Sequence, residues 1–252
     1  MNIFITSKAR FDKCKTADLF VNYSKAWLVI EPQEEKHYKE KYPNYKYLIL
    51  GKNDGGLPYA RNFIKMAAEI KGLKSYWLLD DDISNFYRRE GTKLIKDNPV
   101  TILKEAKQIF KKNDIALGGI EYRQFAWSAT RELITNSFCD CAVFIDVNKM
   151  NGIYCNTELK LKIDRDLCIQ TIRNNKKTAR LTTYAFSSPP NGSNKGGLKE
   201  MAYDKKDLEK QMCLKMVEIW GEDICRHIVK KDGRNDLKIY WDNINSKQQS
   251  LF

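Results

Sequence analysis

Tyr76-Trp77-Leu78-Leu79-Asp80-Asp81-Asp82 is the stretch that decides how this 252-residue chain is read. A short apolar run passes directly into three consecutive carboxylates. An unbroken apolar run of this length suits a strand buried on both faces, as in a parallel sheet. Carboxylates crowded at its end repel one another, and a buried carboxylate without a partner is costly or shifts its pKa. Two readings answer that repulsion. In one, a hard divalent cation, Mg²⁺ or Mn²⁺, is held by one or two carboxylates and completed by substrate phosphates. In the other, the aspartates form a solvated turn that caps the next helix. Asp80 and Asp82 stand two residues apart, and in extended backbone such residues point the same way. They are the expected metal pair.

Upstream of this run, strands and helices alternate. Residues 2–6, 26–31 and 45–50 read as strands, and 16–23 and 34–41 as short helices. Arg61–Lys71 places Phe63, Met66, Ala67 and Ile70 at helical spacing. Such alternation predicts an α/β fold with a mostly parallel, Rossmann-like central sheet flanked by helices. Ligands of such sheets bind beyond the carboxyl ends of the strands. Ser7, Arg10, Glu31, the Asn53–Gly56 loop and the triple Asp all fall there and are expected to share one crevice.

Downstream, Pro99 opens an amphipathic helix. Residues 115–120, 142–147 and 180–186 read as strands, and 166–173 as a helix. Residues 187–197 form a Ser-, Pro-, Asn- and Gly-rich loop, and 203–220 a long helix. The expected division is a main domain over 1–200 and a C-terminal helical extension over 201–252.

Composition narrows the partners. Lys and Arg number 44 against 32 Asp and Glu, a net charge of +12. That balance suits a polyanion, nucleic acid first; a lysine-rich proteome produces the same bias. Hydrophobic residues make up 42 % of the chain, enough for a substantial core. No apolar run reaches transmembrane length, and the N-terminal residues read as a strand rather than a signal peptide. The seven cysteines form no Cys-x-x-Cys pair, which argues against structural zinc and for reduced thiols in a cytoplasmic protein.

Three stretches carry a resemblance: Gly56-Leu-Pro-Tyr-Ala-Arg61-Asn62-Phe63, Tyr76–Tyr87 with its triple Asp, and Ile163-Asp164-Arg165-Asp166. Around them the chain resembles the metal-dependent nucleotide-sugar glycosyltransferases of the GT-A fold. More narrowly, it resembles the TET-associated glycosyltransferases of bacteriophages and their relatives, over roughly residues 1–200. The resemblance implies transfer of a sugar from a nucleotide-sugar, with a UDP-sugar favoured, to a hydroxymethylated pyrimidine base in DNA. It puts the metal and donor diphosphate on Asp80, Asp81 and Asp82. It puts Arg61 under the donor nucleotide, where a guanidinium fork holds phosphate or ribose; Arg61 pairing with an aspartate is the structural alternative. It matches Asp164 and Asp166 to the late acidic element facing the acceptor. One of these carboxylates would take the acceptor proton, Asp164 in preference, with Asp166 as a helix cap. Both as helix-start carboxylates is the structural alternative.

Other residues extend the site. Glu31 is placed to meet ribose hydroxyls or base and Ser7 and Arg10 to line the same pocket; Lys195 either reaches phosphate from its loop or sits on a plain surface loop. Tyr122, Arg123, Phe125 and Trp127 form an aromatic and basic cluster suited to a stacked base or a sugar, or to core packing. His227, in an apolar context read as helical, is the one candidate for the histidine ligand that many GT-A enzymes use, and reads instead as structural. Two other classes stay open: a nucleotidyl or phosphoryl transferase built on paired aspartates, and a non-catalytic DNA-binding module.

Overall fold

The computed structural model describes residues 1–189 and 207–245. Lys195 and the start of the expected long helix lie outside the described residues.

The parallel half forms as its apolar runs dictate. β1 (Asn2–Thr6), β2 (Ala26–Ile30), β3 (Lys46–Ile49) and β4 (Ser75–Asp80) pair in parallel in the order β3-β2-β1-β4. α1 (Lys15–Phe20), α2 (Glu35–Lys41) and α3 (Gly56–Ile70) connect them. Because side chains alternate along a strand, each strand feeds two cores. Ile3, Ile5, Leu28, Ile30, Trp77 and Leu79 pack on one face. Phe4, Val29, Tyr76 and Leu78 pack on the other.

Beyond β4 the sheet is mixed. It continues through β9 (Ala142–Asp146), β7 (Ile115–Tyr122), β10 (Lys177–Ser187), β5 (Asn85–Glu90) and β6 (Lys93–Asp97), with β8 (Leu133–Thr135) pairing β10. Following the pairings, β5, β8 and β9 run against the other seven strands. The sheet is thus mostly parallel in direction, and GT-A-like. α4 (Pro99–Lys112) starts where Asn98 accepts from the amides of Val100 and Thr101. Its Phe110 lies on Gly118 of β7, where an added Cβ would come within 2.7 Å of the ring.

The last described segment departs from expectation. α7 (Leu208–Trp220) is followed by a hairpin of β11 (Cys225–Val229) and β12 (Asn235–Ile239), not by further helix. His227 sits in β11 with Nε2 2.7 Å from Asn235 Oδ1. β-Branched residues in Ile224–Val229 and the Asp232-Gly233 turn favour that hairpin. The segment packs on α6 (Ile163–Arg173) through Leu159, Ile163, Ile169, Cys213, Met216 and Leu237.

α3 also differs from its sequence reading. Met66 and Ile70 are 51 % and 85 % exposed, while Ala60, Arg61, Ile64, Lys65 and Ala68 are buried. A second stripe at the same spacing wins because its two cations find partners inside: Arg61 at Asp80 and Asp164, Lys65 at Glu69. All seven cysteines are buried and free.

Candidate active site

Register brings the loops together. Thr6 pairs with Asp80, so the chain leaving β1 at Ser7 runs beside Asp81. Leu79 pairs with Ala142 in the antiparallel β9, so the start of that strand meets the end of β4. The Asp80 amide donates to the Cys141 carbonyl at 2.8 Å, which puts Asp140 beside the triple Asp.

The three aspartates divide by direction. Asp81 is 5 % exposed and turns inward, accepting from Ser7 Oγ at 2.5 Å and Arg10 Nη1 at 2.5 Å. Ser7 also meets the Tyr38 hydroxyl at 2.6 Å. Thr16 Oγ1 donates to the Asp80 carbonyl at 2.6 Å and accepts from the Ile83 amide at 2.9 Å, fixing the turn. Asp80 and Asp82 keep side-chain exposures of 32 % and 22 %, with Asp82 3.4 Å from Arg10. The i, i+2 pair therefore faces the crevice as expected. Ser7, Arg10 and Asp81, expected against the donor, instead form the frame that orients it. Glu31 is likewise buried and occupied, 3.0 Å from Lys8 and 2.8 Å from Gln33.

Arg61 lies at the centre. Its Nη1 binds Asp164 at the first turn of α6, and its Nη2 lies 3.8 Å from Asp80. Burial alone would lower its pKa; Asp164 and Asp80 together hold it above the ordinary guanidinium value. Asn62, mid-helix in α3, exchanges two hydrogen bonds with the Cys155 backbone, at 2.8 and 2.9 Å.

Asp140 is the member that sequence reading missed. Tyr122 Oη donates to its Oδ2 at 2.7 Å. Burial and the nearby Asp164 push its carboxyl up to about 7, against Tyr122, Arg61 and Arg165. Burial likewise raises Asp80 to about 7, with Asp164 and Asp82 adding to the rise and Arg61 opposing it. Asp80, Asp140 and Asp164 thus converge on one arginine, a centre short of positive charge.

Asp166, the other carboxylate considered for the base and otherwise read as a helix cap, points away. It is 1 % exposed and accepts from Trp220 Nε1 at 2.9 Å and Gln170 Nε2 at 2.7 Å. It anchors α7 to α6. On the same turn, Lys162 adopts a left-handed φ of 65° and reaches Glu209 at 2.9 Å and Asp236 at 3.4 Å. Arg165 also binds Asp236. The C-terminal segment therefore grips α6 on both sides of Asp164.

A cleft of about 550 Å³ adjoins the centre, lined by Tyr122, Arg123, Gln124, Trp127, Phe186, Ser187 and Ser188, and by Thr92 and Leu94 of the β5–β6 hairpin. The acceptor candidates Tyr122, Arg123 and Trp127 thus come together. Two links tie the cleft to the carboxylates: Tyr122 to Asp140, and Ser187 Oγ to Ser84 Oγ at 2.9 Å, two residues past Asp82.

The fold and this site define a GT-A-like transferase. The profile of the TET-Associated Glycosyltransferase family matches residues 1–197, and the chain belongs to that family. By that membership it is a glycosyltransferase. No curated protein gave a significant match. Among solved structures, Staphylococcus aureus TarS 1–349 in complex with UDP is similar at 16 % identity and a TM-score of 0.50, covering 86 % of this chain. This chain spans 66 % of that structure's length. A197 from STIV is similar at 14 % identity and a TM-score of 0.44, over 75 % of this chain and 86 % of its own. At such identity the likeness is one of fold. No helix among the described residues is long and apolar enough to cross a membrane.

Proposed function

We propose that this glycosyltransferase moves a sugar from a UDP-sugar to the hydroxymethyl group of a modified pyrimidine in DNA, in the cytoplasm, with Mn²⁺ or Mg²⁺ at Asp80 and Asp82. The observation that carries the reading is the junction of two unlike surfaces. An aromatic and basic cleft of about 550 Å³ meets a carboxylate centre through the Tyr122–Asp140 hydrogen bond. Stacking faces beside a cation suit a base; crowded carboxylates suit a cation with a diphosphate.

The residues fit the metal. Among the described residues, no three His, Cys, Asp or Glu side chains form a ready-made cage. Mg²⁺ and its like do not require one, since one or two carboxylates plus substrate phosphates suffice. Asp80 and Asp82 supply hard oxygens facing the crevice, and burial, with Asp164 and Asp82 beside it, raises the Asp80 carboxyl despite Arg61. When bound, the ion supplies charge stabilisation for the departing diphosphate.

Asp164 is the base in this reading. Arg61 holds its carboxylate, and no buried donor set consumes it as Trp220 and Gln170 consume Asp166. It takes the proton of the acceptor hydroxyl as that oxygen bonds to the anomeric carbon and the nucleoside diphosphate leaves. Asp140 and Tyr122 shape the acceptor side.

The test is mass spectrometry of an oligonucleotide bearing one 5-hydroxymethylcytosine, incubated with UDP-, GDP- or CDP-sugars and Mn²⁺ or EDTA. A gain of one sugar mass with a UDP-sugar, lost in EDTA and in Asp80→Ala and Asp82→Ala, is expected. Pyrophosphate release without sugar transfer would make it a nucleotidyltransferase. Salt-sensitive DNA binding with no transfer under any condition would make it a binding module.

A further inference from the structure

The turn that walls the cleft carries an unusual surface. α5 (Arg123–Ala126) is a single turn between β7 and a loop. Its two large side chains point out: Phe125 is 54 % exposed and Trp127 is 55 % exposed. Neither exposure comes from a loose segment. Ala126 is fully buried against Tyr87 and Ala185. Trp127 Nε1 donates to the Gln124 carbonyl at 3.0 Å, and Ser128 Oγ to the Phe125 carbonyl at 3.2 Å. Arg89 Nη1 donates to the Ala129 carbonyl at 2.7 Å, and the Arg123 guanidinium lies 4.9 Å over the Tyr87 ring. Two exposed aromatic rings on a pinned turn mark an interaction site.

The two rings differ in place. Trp127 lines the cleft, and Phe125 does not. The Phe125 ring stands edge-on to Tyr122 with centroids 6.3 Å apart, outside the cleft wall. Arg123 on this turn and Arg88, Arg89, Lys93 and Lys96 on the β5–β6 hairpin beside it outnumber that hairpin's Glu90 and Asp97. That balance suits a phosphate backbone.

We infer that Phe125 is a wedge for duplex DNA: it enters the base stack and fills the gap left when the target base turns out into the cleft against Trp127. This rests on the DNA reading above. Proteins that kink or open a duplex insert apolar side chains between base steps, and enzymes acting on a base extrude it into a pocket. A single strand has no base pair to break and no duplex gap to fill, so the wedge matters on duplex.

The experiment compares initial rates on single-stranded and duplex oligonucleotides carrying one 5-hydroxymethylcytosine, with 2-aminopurine beside it as a reporter of unstacking. Phe125→Ala is expected to lower the duplex rate about tenfold or more, since opening a stacked step is costly. Its single-strand rate stays within about twofold of the parent, and the binding-induced 2-aminopurine signal on duplex falls. Phe125→Leu, still an apolar wedge, retains most duplex activity, whereas Trp127→Ala lowers both rates. Equal loss on both substrates, or no loss on either, overturns the wedge while leaving the DNA reading standing. No transfer by the parent protein to either strand form overturns both.

Discussion

Two ionic knots meet at the first turn of α6, and neighbouring residues enter opposite ones. Asp164 joins the first, where Asp80, Asp140 and Asp164 surround Arg61. Arg165 joins the second, where Arg165, Lys162 and Lys230 surround Asp236. Burial opposes ionisation of the aspartates in both. In the second knot three cations overcome it and hold Asp236 well below the ordinary carboxylate range. In the first Arg61 does not, even with Arg165 also acting on Asp140, and Asp80 and Asp140 rise to about 7. The second knot is complete as it stands. In the proposed reading the first is completed by the cation and donor brought to it, whereas the second is a structural ion network.

The sharpest break between the knots is chemical. Asp164→Asn removes the proton acceptor while keeping a hydrogen bond to Arg61. Transfer is expected to fall about 10²- to 10⁴-fold, the usual contribution of a general base. Nucleotide binding and the unfolding midpoint stay near the parent's. Retained turnover would transfer the role to Asp140.

Asp236→Ala should act on stability instead. It takes the carboxylate partner from Arg165, 20 % exposed, and leaves Lys162, 13 % exposed, with Glu209 alone. Removing one partner of a buried ion pair costs on the order of 3–5 kcal/mol; these cations retain some water, so about 3 kcal/mol is expected from urea unfolding. A variant as stable as the parent would show that the second knot is decorative.

The same pair of sites gives opposite pH signs. Between the ordinary carboxylate pKa and about 7, folded Asp80 binds more protons than unfolded Asp80, so its contribution to stability falls as pH rises through that window. Asp80→Asn removes this penalty. It should melt higher than the parent at pH 8, with the gap closing towards pH 4. Asp236 is the reverse: its stabilisation is full above the ordinary carboxylate range and is lost as pH falls through its depressed folded value. Asp236→Asn should melt lower than the parent at neutral pH, with the gap narrowing in acid. Adding Mn²⁺ with UDP should raise the parent's melting temperature and leave Asp80→Asn unmoved, because only the ligand-binding native state gains. Melting scans across pH decide it; a parallel pair of profiles would refute the contrast.

Much of this arrangement was legible in the sequence. The apolar runs read as β1 to β4 formed, and so did the helix opened by Pro99. Asp80, Asp82, Asp164 and Arg61 came together at the crevice, and Tyr122, Arg123 and Trp127, though not Phe125, in the adjoining cleft. Asp140 was invisible for a directional reason. In a parallel sheet the residue before a strand lies at the far edge, and only the reversal of β9 brings it to the ligand side. The β5–β6 hairpin was missed because its Arg–Arg and Lys residues mask the period-2 pattern, although Gly91 at φ 61° marks its turn. The α3 stripe was misread because periodicity counts apolar residues, whereas burial there followed the partners available to Arg61 and Lys65. Asp164 and Asp166 looked alike in sequence because their difference is supplied by Trp220, more than fifty residues away.

That last pair yields the smallest effect and the finest test. Asp166 accepts from Trp220 Nε1, Gln170 Nε2 and the Asn156 backbone amide. In Asp166→Asn one oxygen becomes an NH₂ group and faces a donor. Gln170 relieves the clash only by turning its amide, which gives up its 3.0 Å bond to the Tyr154 carbonyl. One hydrogen bond is lost either way, a net cost of about 1 kcal/mol. Transfer kinetics should match the parent at temperatures well below melting, with kcat and KM both unchanged. A fall in kcat comparable to that of Asp164→Asn would mean that the Trp220 anchor sets the angle of the α6 turn, and that the second knot and its neighbours reach into the chemistry of the first.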